Sequence, residues 1–456
     1  MSEKGIEAYS CVILGTGVKE SILAGLLSSK GLKVLQMDAS PAYGSSSRTL
    51  RYEEFIEEMK KKHPARHFEN VLKEDGKFLY FDLTPKIFLA DEGLIRIVGE
   101  NSLSHCIEFS VIEAQYLIRK NEAVLIPNTK TSALKSNLFG PIQLLRLHTF
   151  MNMVRKYYEE DEREKKKALA GWKNVQEMYE YYKISASVQT VLGHGVALYT
   201  SDEYLKEPPK EFVERLTTYF RSVAKASGVF SKGNSPFLYP KYGISEISQG
   251  FARLSAVKGG TTRMSTQIKE MAREEDRYVM KIETDGVEDV VHTKFIIAND
   301  EDYASVPGSF GREIHTLRGI YVLKGGEQAK SRQGLVISGN GGPDLFVLIV
   351  GAEEEVCPAG YSIGYLTQEY APNSEKDMGG VEDVEKELEE RAAPVTAQMY
   401  LWNYSIVQSV FWVDSAVEGV PGIDPLIVPL RPMDSTVDFR TVHKEVEDVL
   451  DYVQRA

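Results

Sequence analysis

Residues Tyr9 to Tyr43 constrain the fold more than any other stretch: an apolar run, a Gly-Thr-Gly turn, a segment of helical periodicity, and a second apolar run ending at Asp38. Ser10 to Leu14 has the length of one buried parallel strand, and Gly15 stops it. Gly15 and Gly17 then permit a tight turn. Val18, Ile22, Leu26 and Leu27 recur at helical spacing up to Ser29, Gly31 follows where a C-terminal cap belongs, and Lys33 to Met37 forms the next strand. The result is a nucleotide-binding βαβ opening. The dinucleotide fingerprint is Gly-x-Gly-x-x-Gly with a later acid that holds ribose, and Asp38 stands in the acid's place. The third glycine is replaced by Glu20, a carboxylate beside the helix N-terminus where a pyrophosphate would sit. Two readings stay open: Glu20 repels phosphate, or it complements the helix dipole in a tolerated variant of the fingerprint.

A chain of 456 residues with 43% hydrophobic content has room for two or three domains and a sizeable core. Its net charge of −12 argues against a nucleic-acid partner held by a general basic surface, and against direct adhesion to anionic lipid. There is no signal-peptide layout at the N-terminus and no apolar run near the ~20 residues of a membrane helix, so the cytosol is the expected location. Cys11, Cys106 and Cys357 are scattered and read as small apolar residues, while Pro64 between His63 and His67 spoils a helical metal pair. Walker A, nucleophile-elbow and ligand-cluster spacings are missing, so neither catalytic nor metal residues are assigned.

Along the chain, Ser-Pro-Ala-Tyr-Gly after Asp38 predicts a turn that leaves Tyr43 near the surface at the carboxyl end of the sheet, where open sheets meet ligands and partners. Phe55 to Phe68 reads as a solvated surface segment with room for partial helix, Phe78 to Leu83 as a strand, and Lys86 to Val98 as helix or strand. Phe109 to Ile126 alternates like antiparallel strands. From Ser132 to Phe220 the pattern turns helical, with Leu144, Leu147, Met151 and Val154 at spacings of three and four; Val188, Val191, Leu192 and Val196 follow, with Gly193 and Gly195 allowing close approach. Core packing and a lipid groove would give the same pattern there. Ser235 to Gly243 combines two prolines with aromatic residues and predicts a rigid, exposed aromatic surface; Glu246, Gln249 and Arg253 then share one polar helix face. Lys294 to Ala298 returns the chain to the first sheet, Gly339 to Asp344 is a hairpin turn, Glu382 to Glu390 a solvated helix ending near Pro394, and Val442 to Val453 the last helix.

These blocks in this order carry a resemblance. Leu-Gly-Thr-Gly ending in Glu20, Met37-Asp38 with Pro41-Ala-Tyr43-Gly44, Pro127 with Thr131-Ser-Ala-Leu and Asn137-Leu, Gly193-His194 through Tyr199 with Asp202 and Tyr204-Leu205, Ser235 to Thr261, and Ser435 to Phe439 together resemble the Rab GDP-dissociation inhibitors. Tyr239 to Gly260 is the most specific block. The resemblance implies an α/β fold: a large domain (1–131 and 219–456) built like a flavin-binding fold without flavin or other cofactor, and an inserted all-helical domain (132–218) that accepts prenyl groups. It implies a non-enzymatic protein that binds GDP-bound prenylated Rab GTPases, slows GDP release, extracts them during transient membrane association and recycles them through the cytosol, as a monomer in a one-to-one complex. The matching Rab-binding positions are Tyr43, Glu246, Gln249, Arg253 and Thr261, and candidates for the geranylgeranyl groove are Leu144, Leu147, Met151, Val188, Val191 and Leu192. Arg263 stands where the family tends to carry methionine, and 231–238 matches a loop associated with membrane delivery. A Rab escort protein and a flavin oxidoreductase are the alternatives.

Overall fold

Cys11, Val12, Ile13 and Leu14 are buried on both faces of a central strand, as an uninterrupted apolar run requires. In the computed structural model, which describes residues 7–62, 72, 75–119, 122–127, 132–133, 136, 138–229, 235–298, 311–325, 332–336, 343–370, 381–419 and 424–455, this strand is β1 (Glu7–Leu14). It is followed by α1 (Val18–Ser29) and β2 (Val34–Met37), the predicted βαβ unit. Gly31 ends α1 in the left-handed region (φ +84°), and Leu32 N donates to Leu27 O across the cap. β1 pairs in parallel with β2 on one side and with Val287–Ala298 on the other. Thr261–Arg263 adds a parallel edge strand to β2, while Thr266–Glu274 and Arg277–Thr284 extend the far side antiparallel.

A second sheet of seven strands is antiparallel except where Arg332–Val336 runs parallel to Ala114–Arg119. Tyr404–Gly419 lies at one end of it and Glu122–Leu125 at the other. The helix Val381–Leu401 packs on this sheet with Leu388, Ala392, Val395 and Met399 fully buried. The expected stop near Pro394 is therefore corrected: the proline removes one backbone donor, but the apolar face continues and its packing holds the helix to Leu401.

Between the sheets' strands the chain is helical from Pro141 to Val229: Pro141–Glu159, Glu162–Leu169, Val175–Tyr181, Ala186–Thr190, a π-helical turn Val191–Val196, and Pro209–Val229. Local chemistry sets the starts. Pro141 opens the first helix, Asp161 accepts from the amides of Arg163 and Glu164, and Asn174 accepts from Glu177 N. Phe150, Tyr179, Tyr204 and Phe212 form an aromatic core; Pro209–Val229 runs across position 218 without interruption.

Two further expectations are corrected. The segment after Phe55 is not simply solvated: α2 (Tyr52–Lys62) buries Tyr52, Phe55, Ile56 and Met59, and its charges occupy the other face. The Ser235–Gly243 segment does not present its aromatics. Phe237, Leu238 and Tyr239 are buried in the strand Phe237–Pro240, which pairs with Phe88–Leu89 and Phe109–Val111, and only Tyr242 stands exposed. Between Lys86 and Val98 the chain makes a short strand and then α3 (Gly93–Glu100). His63, His67, residues 231–234 and 339–342 lie outside the described residues. Among the described residues no helix is long and apolar enough to cross a membrane, and no group of three or more His, Cys, Asp or Glu residues could hold a metal ion.

The buried face of α2 gives a direct stability test. Phe55 stacks on Phe81 (5.0 Å between centroids) and meets the edge of Trp412 at 6.0 Å. Phe55→Ala is expected to cost about 3–5 kcal/mol in urea unfolding; a loss within about 0.5 kcal/mol, the range of surface substitutions, would make α2 a surface appendage.

Candidate functional site

The nucleotide crevice is filled by the chain itself. Asp38, 6% exposed, accepts from Thr16 Oγ1 (2.5 Å), Ser45 Oγ (2.8 Å) and Ser40 N (2.8 Å). At the start of α1, Thr16 N donates to Ser45 Oγ and Val18 N to Ser47 Oγ, so two of the amides that would cradle a pyrophosphate already have partners. The Glu20 carboxylate closes the remaining approach. A Cβ built on Gly17 would lie 2.4 Å from Glu20 Oε2, and Glu20 is 6% exposed. These residues do not fit a flavin dinucleotide: its ribose acid is engaged, two of its cradle amides are taken, and a buried carboxylate stands at its phosphates. Of the two readings of Glu20, repulsion is the one this geometry favours.

The same bonds organise the surface beside the crevice. Asp38 N donates to Arg263 O and Asp38 O accepts from Thr266 N, tying the end of β2 to the edge strand. The turn then passes through Gly44 (φ +111°) and holds Tyr43 39% exposed. Behind the edge strand, the helix Ser245–Val257 packs against α1. Gly25 makes that approach possible, since a Cβ there would sit 3.0 Å from Phe251 O; Ser28 Oγ and Ser255 Oγ meet at 3.0 Å. Ile247, Phe251 and Leu254 face inward.

The outward face of this helix carries half-buried Glu246 and exposed Gln249 and Arg253, in the predicted three-and-four spacing. Burial raises the Glu246 carboxyl above the usual range. Arg253 Nη1 reaches Cys106 Sγ at 3.5 Å. Thr261 opens the edge strand opposite Leu35, half-buried, whereas the Tyr43 turn leaves from beyond Met37. The helix face thus joins three of the five residues, with Tyr43 and Thr261 on flanking segments. Arg263 turns away from any apolar role: its guanidinium pairs with Asp289 (2.9 Å) and Glu7 (3.1 Å).

The six lipid candidates divide into two sets. Leu144, Leu147 and Met151 are half-buried on the helix Pro141–Glu159 and pack against the core, while Val188, Val191 and Leu192 are fully buried within it. Ile142 and Leu145, which the spacing argument passed over, are each 68% exposed on the same helix. The block around His194 has a different task. His194 Nδ1 meets Asp344 Oδ2 at 2.5 Å and Nε2 meets Asp202 Oδ1 at 3.0 Å; burial lowers its basicity, but the two carboxylates outweigh that and raise it above the ordinary value. Gln115 Nε2 donates to Gly195 O, and Arg440, paired with Asp438, donates to Ala197 O at 2.9 Å. The π-helical turn is therefore fastened to the second sheet and to the C-terminal segment. Lys86, fully buried, holds that segment through Asp434 (2.6 Å) and Thr436 Oγ1 (3.0 Å); despite burial, the ammonium holds the Asp434 carboxyl down at about 2.

Sequence reasoning missed the group that holds the start of the outward-facing helix. Asp82, 1% exposed, accepts from Thr49 Oγ1 (2.5 Å), Tyr239 OH and Ile244 N (3.0 Å). Burial pushes its carboxyl up to about 6 against those hydrogen bonds. A lone Asp ending a short strand carried no motif to mark it.

Comparison with known proteins follows the same lines. A family model described as GDI: GDP dissociation inhibitor matches residues 3–399. Rab GDP dissociation inhibitor beta of Rattus norvegicus is 27% identical over 448 residues, covering 97% of this chain and 94% of that one. The crystal structure of RAB GDI from Plasmodium falciparum superposes with a TM-score of 0.78 at 22% identity, over 98% of each chain. An oxidoreductase from Methanosarcina mazei shares the fold at a TM-score of 0.59 and 13% identity, over 97% of this chain and 99% of that one. The family match spans most of the sequence and the likeness of fold extends over nearly all of it: this chain belongs to the GDP dissociation inhibitor family.

Proposed function

We propose that this chain binds prenylated Rab GTPases in their GDP state, slows GDP release, withdraws them from membranes and carries them through the cytosol. The observation that carries this reading is the outward face of Ser245–Val257: Glu246, Gln249 and Arg253, the residues that the resemblance assigns to Rab binding, share one face of a helix anchored to α1. Members of this family are named for holding a nucleotide in a partner, not for a reaction, and the closed crevice agrees with a non-enzymatic role. Tyr43 and Thr261 complete the proposed platform. Differential affinity for the GDP conformation of the switch regions is what slows release, because a binder shifts an equilibrium only by as much as it distinguishes the two states.

A lipid site is required by the energetics of membrane attachment. Each buried methylene contributes about 0.8 kcal/mol to anchoring, so a protein that keeps a doubly prenylated partner in water must itself cover much of that surface. In this reading the division is a large body, 1–131 with 219–456, and a lipid-accepting helical body, 132–218. Among the described residues of that body, the helix Pro141–Glu159 holds Leu144, Leu147 and Met151 half-buried on its core side and Ile142 and Leu145 exposed on its outer side. Val188, Val191 and Leu192 would form the floor. The complex is one-to-one, with geranylgeranyl lipid as the bound group.

Arg253→Ala is expected to weaken binding of a GDP-loaded prenylated Rab GTPase by roughly tenfold in a fluorescence titration, with Tm moved by no more than about 2 °C. Unchanged affinity with a lowered Tm would assign Arg253 to structure. The oxidoreductase alternative is tested by titrating FAD with the chain: flavin fluorescence is expected to stay unquenched, and saturable quenching with visible absorbance on the purified complex would reopen it.

A further inference from the structure

The helix Ser245–Val257 has no side-chain cap of its own. Its leading amides are taken instead by residues from distant segments: Ile244 N by Asp82, and Ser245 N by Thr49 Oγ1 at 3.0 Å. The exchange is reciprocal, because Thr49 N donates to Ser245 Oγ at 2.7 Å. Thr49 Oγ1 itself donates a hydrogen bond to Asp82 Oδ1, and the same carboxylate accepts from the Tyr239 hydroxyl. Thr49 follows the Tyr43 turn by six residues and opens the strand Thr49–Arg51, which pairs with Asp82. The lead-in to the helix is tightly packed there. Tyr242 is held at φ +66° and Gly243 at φ +99°, and a Cβ on Gly243 would come within 2.7 Å of both Asp82 Oδ1 and Thr49 Oγ1.

We propose that Thr49 is a positioning residue for partner recognition: through Ser245 and Asp82 it locks the Tyr43 turn and the Glu246–Gln249–Arg253 face into one register before the GTPase arrives. The proposal rests on the Rab-binding reading above. A turn and a helix presented separately would each have to be ordered on binding, and that ordering subtracts from affinity; Thr49, which continues the chain from the turn and bonds the first residue of the helix, reduces the loss. Thr49 itself need not touch the partner. Its role is carried by one hydroxyl that donates to Asp82 and accepts from Ser245.

The test compares affinities of the full chain and its variants for a geranylgeranylated Rab GTPase loaded with GDP, alongside thermal melts. Thr49→Val keeps the shape and removes the hydroxyl; it is expected to weaken binding about five- to tenfold, the scale of one to two lost hydrogen bonds. Thr49→Ser is expected to restore affinity to within about twofold. Ser245→Ala combined with Thr49→Val is expected to cost less than the product of the two single losses, as for residues in one network. Met399→Ala, in the core beneath the second sheet, serves as the control: it lowers Tm while the folded protein keeps wild-type affinity. Wild-type affinity in Thr49→Val, or a loss explained wholly by its unfolded fraction, overturns the positioning role alone. A wild-type chain that does not bind the GDP-loaded GTPase overturns the Rab-binding reading with it.

Discussion

The carboxylate of Asp38 is the constraint on which the rest of the structure depends. Its side chain gathers Thr16, Ser40 and Ser45, while its backbone joins β2 to Arg263 and Thr266. One residue therefore closes the turn before α1, shapes the Tyr43 loop and sets the edge strand that follows the outward-facing helix. In a dinucleotide-binding fold the corresponding acid is directed at a ribose. Here the acid is spent on the protein's own hydroxyls, and Glu20 occupies the phosphate end. The same βαβ architecture thus becomes a rigid support for an external face.

Rigidity around that face comes from two kinds of contact. Gly25 lets α1 and Ser245–Val257 approach to backbone contact, which fixes the inner side by close packing. Buried Asp82 and half-buried Thr49 fix its beginning by hydrogen bonds. The helical segment is fastened differently: His194 of the π-helical turn pairs with Asp344, and Arg440, paired with Asp438, donates a hydrogen bond to Ala197 O. Each of these groups has a second partner, Asp202 for His194 and Asp438 for Arg440, so the junction is held by more than one contact.

Much of the fold was legible because its signals are local. The apolar run, glycine turn and helical period of residues 10–37 determine the opening unit, and the returning strand was visible in Lys294 to Ala298. The polar face at Glu246, Gln249 and Arg253 followed from spacing alone. What escaped is long-range. The aromatic run Phe237–Tyr239 looked like surface because nothing in sequence shows that two strands, Phe88–Leu89 and Phe109–Val111, cover it. The amphipathic character of α2 was hidden under its lysines and glutamates, and Pro394 was given a helix-ending weight that packing on the second sheet overrides. Asp82 needs three partners separated by up to 162 residues, so no window of sequence could reveal it.

The activity proposed for this chain is nucleotide-selective removal of a lipid-anchored GTPase from a bilayer. The most direct measurement is extraction of a doubly geranylgeranylated Rab GTPase from liposomes by the purified chain, with the GTPase loaded with GDP or with a non-hydrolysable GTP analogue. The GDP form is expected to appear in the supernatant as a one-to-one complex and the GTP-analogue form to stay on the membrane. Equal extraction of both forms, or of neither, would contradict it.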